Sequence, residues 1–131
     1  MDLCRGCVLG VSRLNYRAYH PYYEEMYEVK AIHLLEEFVV LKMPHYLLNE
    51  YSFKDVELMQ SKGVVDKDGL ETFDGDVIEF TPIADKISKK HIVRPGDSLF
   101  EDAIFTNGQF TRFLNGYKIL GNIYENDKLI K

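Results

Sequence analysis

Cys4 and Cys7 stand at the C-x-x-C spacing that lets two thiolates share a zinc ion or close a redox disulfide. A structural zinc site needs two further ligands, and the available His20, His33, His45 and His91 include no H-x₃₋₅-H pair. A thioredoxin-like pair belongs between a strand and a helix, whereas this one lies in the first residues of the chain, so we expect two reduced, inert cysteines in a loose leader. Asp66, Asp68, Glu71, Asp74 and Asp76 crowd together like a calcium loop, but an EF-hand needs Gly at its sixth position and Glu at its twelfth. Counted from Asp66, those positions hold Glu71 and Val77, so the acids read as solvated turn residues. Nor does the sequence give the spatial separation or the raised pKa that would assign a glycosidase-type carboxylate pair. The strings G-x-S-x-G, G-x-x-x-x-G-K-[ST], H-E-x-x-H and G-x-G-x-x-G are all absent, so no catalytic, metal or cofactor-binding residue is assigned. His33 lies in an apolar stretch and reads as a satisfied strand residue, and His20, beside Pro21, as a turn residue.

Two groups of residues suit binding. Lys86, Lys89, Lys90 and Arg94, with His91 among them and Arg112 and Lys118 further on, form a basic segment. With Phe105, Phe110, Phe113 and Tyr117 nearby it has the ingredients of a nucleic-acid groove, in which cations hold phosphates and rings stack on bases. The plainer reading is a solvated loop whose charges answer Asp85, Asp97, Glu101 and Asp102. Net charge favours the plainer one: sixteen Lys and Arg face 21 Asp and Glu, giving −5, and the acidic excess is present in both halves. Phosphate neutralisation dominates nucleic-acid affinity, so such a chain binds through a local patch or not at all. The second group is Tyr16, Tyr19, Tyr22, Tyr23 and Tyr27, denser than a small core requires. Tyrosine offers amphipathic contact area at low entropic cost, which points to a protein partner or a second copy of the chain.

A chain of 131 residues with 46% hydrophobic and 28% charged residues is of the size and make-up of one ordinary globular domain. The longest apolar run, Phe38 to Leu41, is strand-sized and far from the ~20 residues of a membrane span, and a cytoplasmic protein is expected. From Leu14 to His20, Leu14, Tyr16, Ala18 and His20 alternate with Asn15, Arg17 and Tyr19, which is the period of a strand. Pro21 to Glu25 supplies a turn and Met26 to Leu34 a second strand, giving a hairpin. Phe38 to Met43 is a third strand, ended by Pro44, with a helix over Ile32 to Leu41 as its rival; His45 to Asp55 reads as an irregular or short helical connection. Further strands are expected at Val56 to Ser61, at Asp76 to Phe80 after the sharp turn at Gly75-Asp76, and at Tyr117 to Tyr124 with a bulge or bend at Gly121. Lys62 to Phe73 carries turn chemistry around Gly69. Asn107-Gly108, between the alternating runs of Ile104 to Phe113, is the strongest hairpin signal, because both central residues of a type I′ turn need φ > 0. Many short strands at about ten-residue spacing suggest a small barrel or sandwich.

Leu58 to Phe80, LMQSKGVVDKDGLETFDGDVIEF, and Gly121 to Ile130, GNIYENDKLI, resemble the two signatures of the YopX-like family of small phage and prophage proteins. Tyr16-Arg17-Ala18-Tyr19 is similar to that family's aromatic-arginine-alanine-tryptophan opening, with Tyr19 in place of Trp, and Met26-Tyr27 matches the pair that follows. Asp127 stands where proline is common, and Thr81 to Tyr117 aligns with no motif. The resemblance implies a mainly β fold with an SH3-like barrel in the second half, a bacterial host cell as the setting, and no established activity. The expectation is therefore one mainly β unit: residues 1–13 a loose leader, 14–55 an N-terminal hairpin or meander packed on the rest, and 56–131 the SH3-like barrel portion. Its expected role is non-catalytic binding to itself or to a host or phage protein. The alternative is a nucleic-acid-binding barrel using Lys86 to Arg94.

Overall fold

The computed structural model describes residues 15–125. Cys4, Cys7, the expected leader and the last part of the GNIYENDKLI signature lie outside the described residues. Residues 15–60 form one compact unit, and residues 61–125 belong to a second.

In the first unit, β1 (Tyr16–His20) and β2 (Glu25–His33) make the expected antiparallel hairpin, with Ala18 opposite Tyr27. Its turn is closed by the Glu24 amide donating to the His20 carbonyl at 2.8 Å. The first half of β2 pairs with β1 and the second half with β3 (Phe38–Met43), and the register shift between Val29 and Ala31 marks where one strand serves two partners. The helical rival for Ile32 to Leu41 is excluded: Val39 and Val40 lie extended, and Val39 and Leu41, one pleat apart, are fully buried. They form a core with Ala18 and Val56, on which Tyr27, Val29, Ile32, Tyr51 and Phe53 pack. Residues 45–55 correct in part the expectation of an irregular or short helical connection. They hold an edge strand, β4 (Leu47–Ser52), between two short 3₁₀ turns, paired antiparallel with β3. Leu47 to Glu50 are all exposed, so the segment lacks the apolar alternation by which a half-buried strand is recognised.

Strand β5 (Glu57–Val65) enters both units: residues up to Gln60 pair with β1, and the remainder pairs with β6 (Glu71–Phe73). The strand runs further than expected, through Gly63, and the turn chemistry is confined to residues 66–70. Gly75, at φ 90°, then turns the chain into β7 (Asp76–Pro82), as its sequence context predicts. The Thr81–Tyr117 stretch, which matched no motif, supplies β8 (Lys89–Ile92), β9 (Ser98–Leu99), β10 (Ala103–Thr106) and the start of β11 (Gln109–Asn122). These form an antiparallel sheet in the order β8-β7-β11-β10-β9. Asn107 and Gly108, at φ 52° and 76°, make the expected turn between β10 and β11. The separate closing strand expected at Tyr117 is instead the continuation of β11, whose register slips between Phe113 and Tyr117 and again between Ile119 and Gly121. Two bulges thus let one 14-residue strand bend where the sequence suggested two strands.

The core of this unit is Ile78, Val93, Leu99, Ile104, Phe113 and Tyr117. Phe80 and Phe113 pack with ring centres 4.6 Å apart. The mainly β expectation holds, with two antiparallel sheets and no α-helix among the described residues. The SH3-like closure implied by the resemblance is not seen, since β8 and β9 remain open edges of the five-stranded sheet.

Candidate functional site

Tyr16, Tyr19, Tyr22, Tyr23 and Tyr27, all in the first unit, have different surroundings. Tyr27 packs on the core, and burial raises its pKa above the usual tyrosine value. Tyr16 lies on the face of β1 that carries buried Ala18 and His20, whereas Tyr19 lies on the opposite face, and both are half-buried. Tyr22 and Tyr23, in the β1–β2 turn, are 83% and 47% exposed. They are braced from below: the His20 ring, itself buried, lies 4.5 Å from Tyr23 and 4.7 Å from Tyr51, and Tyr22 stands edge-on to Tyr23 at 5.2 Å. A side-chain hydrogen bond with Tyr51 raises the Tyr23 pKa and ties that ring to β4. The turn therefore holds aromatic surface in a fixed pose rather than on a free loop.

The residues of the signature segments serve the backbone. Buried Asp66 accepts the amides of Asp68 and Leu70 at 2.9 Å, which closes the tight turn containing Gly69, and its second oxygen accepts the Ile119 amide of β11 at 2.9 Å. Asp76 accepts the Phe73 amide at 2.8 Å, and Asn122 accepts those of Tyr124 and Glu125 at 3.0 and 2.8 Å. Thr72 and Tyr117, both buried, share a 2.6 Å hydroxyl hydrogen bond. Burial pushes the Tyr117 phenol up to about 12. Asp66, Asp76 and Asn122 thus act as clasps, satisfying amides that a turn or bulge leaves without a ladder partner, while the Thr72–Tyr117 bond ties β6 to β11. Among the described residues no group of three or more His, Cys, Asp or Glu is placed to hold a metal ion.

The basic segment is answered by acids at several points. Lys89 Nζ lies 3.0 Å from Asp85, whose carboxyl is held below its ordinary pKa chiefly by that hydrogen bond, and Lys90 stands opposite Glu79. His91 is tied down by Asp97 at 2.7 Å. Arg112 lies 3.7 Å from Asp102. Lys86, at φ 56°, and Arg94 are exposed. Lys89 and Arg112 do share one feature: together with the 82–85 turn and residues 109–111 they bound a cleft of about 480 Å³. The sequence had flagged Lys89, Phe110 and Arg112, and Asp85 as an answering acid, but not Pro82-Ile83-Ala84, which form the other wall. Pro82-Ile83-Ala84 carries no motif, and only the tertiary path of the chain brings it beside β11.

The family model described as YopX protein matches residues 15–131. The chain belongs to the YopX family. No curated protein matches it. A crystal structure of protein EF1440 from Enterococcus faecalis is similar in fold, with a TM-score of 0.51 and 22% identity over 91% of this chain and 99% of that one. The YopX signature segments thus coincide with the clasps described above, while the exposed tyrosines and the cleft lie elsewhere in the chain. No helix among the described residues is long and apolar enough to cross a membrane.

Proposed function

We propose that this YopX-family chain is a phage-type accessory protein that acts by non-catalytic protein binding in the bacterial cytoplasm, with self-association through the β1–β2 turn as its primary mode. The observation that supports the reading is the exposed Tyr22–Tyr23 pair braced on buried His20 and hydrogen-bonded Tyr51. Large amphipathic rings already fixed in position lose little entropy when a partner covers them, which is the property of an interface anchor. A second copy brings the same rings, and a two-fold arrangement pairs like with like.

Sedimentation velocity over a concentration series tests this reading. Self-association is expected, nearly independent of salt because the contact is apolar, and the exposed-site double variant Tyr22→Ser/Tyr23→Ser is expected to sediment as monomer with unchanged circular dichroism. A wild-type chain that stays monomeric throughout, or a variant that associates as the wild type does, would refute it.

A further inference from the structure

The cleft of the second unit has an edge that the sheet leaves open. The Asn107-Gly108 turn fixes the hydrogen-bonding phase of the hairpin: Thr106 and Gln109 exchange backbone bonds, Phe105 and Phe110 do not, and the alternation continues to Ala103 and Arg112. The N–H and C=O groups of Phe110 and Arg112 therefore point away from β10. Two bonds agree with this phase: the Arg112 carbonyl accepts the Ile83 amide at 3.0 Å on the outer side, and the Phe113 amide donates to Asp102 at 2.6 Å on the β10 side. On the outer side β7 accompanies β11 only as far as the Phe113–Pro82 pair. Beyond it the chain reverses, with the Lys86 amide bonding back to the Pro82 carbonyl at 2.9 Å. Beside Phe110 there is consequently no strand among the described residues. Among the described residues, the Phe110 amide and carbonyl and the Arg112 amide have no backbone partner, and the cleft occupies the place where β7 would have continued.

We propose that this cleft receives a short extended peptide segment by strand addition to residues 109–112 of β11, and that the segment carries an acidic side chain next to an apolar one. The backbone chemistry selects a peptide: the open edge presents N–H, C=O and again N–H in succession, which another β-strand complements and a nucleic-acid backbone, lacking N–H donors, does not. The lining selects the side chains. Its charged residues are Asp85, Lys89 and Arg112; Asp85 and Asp102 each hold one of the two cations, and both cations, half or more exposed, retain N–H donors for a further carboxylate. Phe110 and Ile83, 55% and 46% exposed, supply the apolar contact. This site is independent of the tyrosine turn, being built entirely from residues of the second unit.

A blocked hexapeptide of alternating glutamate and valine is the probe, with lysine–valine and proline-interrupted versions and oligothymidylate as controls. Backbone amide shifts and hydrogen exchange are read on the full chain. The acidic peptide is expected to slow exchange at the Phe110 and Arg112 amides by about tenfold or more at saturation, as those groups gain main-chain partners. The proline version should fail. The surface variant Lys89→Gln/Arg112→Gln should bind the acidic peptide at least about fivefold more weakly, and Tyr22→Ser/Tyr23→Ser should bind it normally. Unaltered exchange at both amides overturns the proposal without any variant being made. Equal binding of the lysine peptide overturns the charge selection, and protection by oligothymidylate in place of the peptide would transfer the cleft to nucleic acid.

Discussion

Asp97 is buried and accepts three hydrogen bonds, so its protonation bears on the stability of the second unit at low pH. Burial pushes the carboxyl up, but hydrogen bonds from Thr106 at 2.5 Å, His91 at 2.7 Å and the Arg94 amide at 3.0 Å outweigh it, so the group titrates below its ordinary 3.8. A carboxylate depressed on folding contributes stability that is complete above its unfolded pKa and is lost as pH falls through the folded value. The wild type should therefore lose stability steeply below about pH 4, and Asp97→Asn should flatten that part of the denaturant-midpoint profile while costing about 2–3 kcal/mol at neutral pH. An unchanged acid limb would show that the three donors do not favour the charged form. The alkaline side is set by Tyr117, whose phenol at about 12 keeps its proton in the folded state. Because that value is raised, the stability it contributes is present below about pH 10 and is lost as pH rises towards 12. Phenolate absorbance should show a final ionisation near pH 12, beyond those of Tyr23 and Tyr27, and Tyr117→Phe should remove it. Lys62 carries a separate prediction: its nearly buried ammonium forms an ion pair with Asp74 at 2.9 Å and donates to the Asp97 and Pro95 carbonyls at 2.9 and 3.2 Å. Lys62→Met leaves that carboxylate and both carbonyls without their cation, and should cost about 3 kcal/mol in chemical denaturation.

The turns show how far local sequence reaches. At Gly108, φ is 76° and a Cβ would meet nothing within 4 Å, so Gly108→Ala isolates backbone strain from packing. It should cost about 1 kcal/mol, with Gly108→Asn milder because asparagine tolerates the left-handed region better; equal losses would mean that packing, not φ, sets the requirement. Asn107-Gly108 was legible for this reason: the turn's demand falls on two adjacent residue types, whatever surrounds them. The same holds for Gly75-Asp76, for the β1–β2 hairpin and for Pro44 at the end of β3. What was not legible depended on distant partners. Strand β4 carries no alternation because its exposed Leu47, Leu48, Asn49 and Glu50 edge the sheet, and its strand character comes from its pairing with β3. Strand β9 is two residues long, too short to have a period. The site divides in the same manner. Composition pointed to Tyr22 and Tyr23 but could not separate them from Tyr27, which packs inward; Lys89, Phe110 and Arg112 drew notice as charges and rings. The feature that joins the last three, an open backbone edge, appears only when β7 and β11 are followed to the point where they part.

Each unit has its own buried cluster: Ala18, Val39, Leu41 and Val56 in the first, and Ile78, Val93, Leu99, Ile104, Phe113 and Tyr117 in the second. The signature clasps at Asp66, Asp76 and Asn122 all belong to the second, whereas the first relies on packing around short hairpins. Truncating a fully buried leucine or isoleucine removes transfer free energy and leaves a cavity, together about 2–5 kcal/mol. Leu41 and Ile78 are both completely buried, so Leu41→Ala and Ile78→Ala delete comparable contacts from different clusters. Native-state hydrogen exchange should separate their effects: Leu41→Ala is expected to speed exchange mainly at amides of residues 15–60, and Ile78→Ala mainly at those of 61–125. If either variant instead lowers protection evenly across both ranges, the chain opens as one cooperative unit, and β5, which contributes residues to both, is the element that makes it so. That outcome would also bear on the two binding surfaces, because a partner bound at Tyr22–Tyr23 would then stabilise the cleft beside Phe110 by simple mass action, and a peptide in the cleft would stabilise the turn in return.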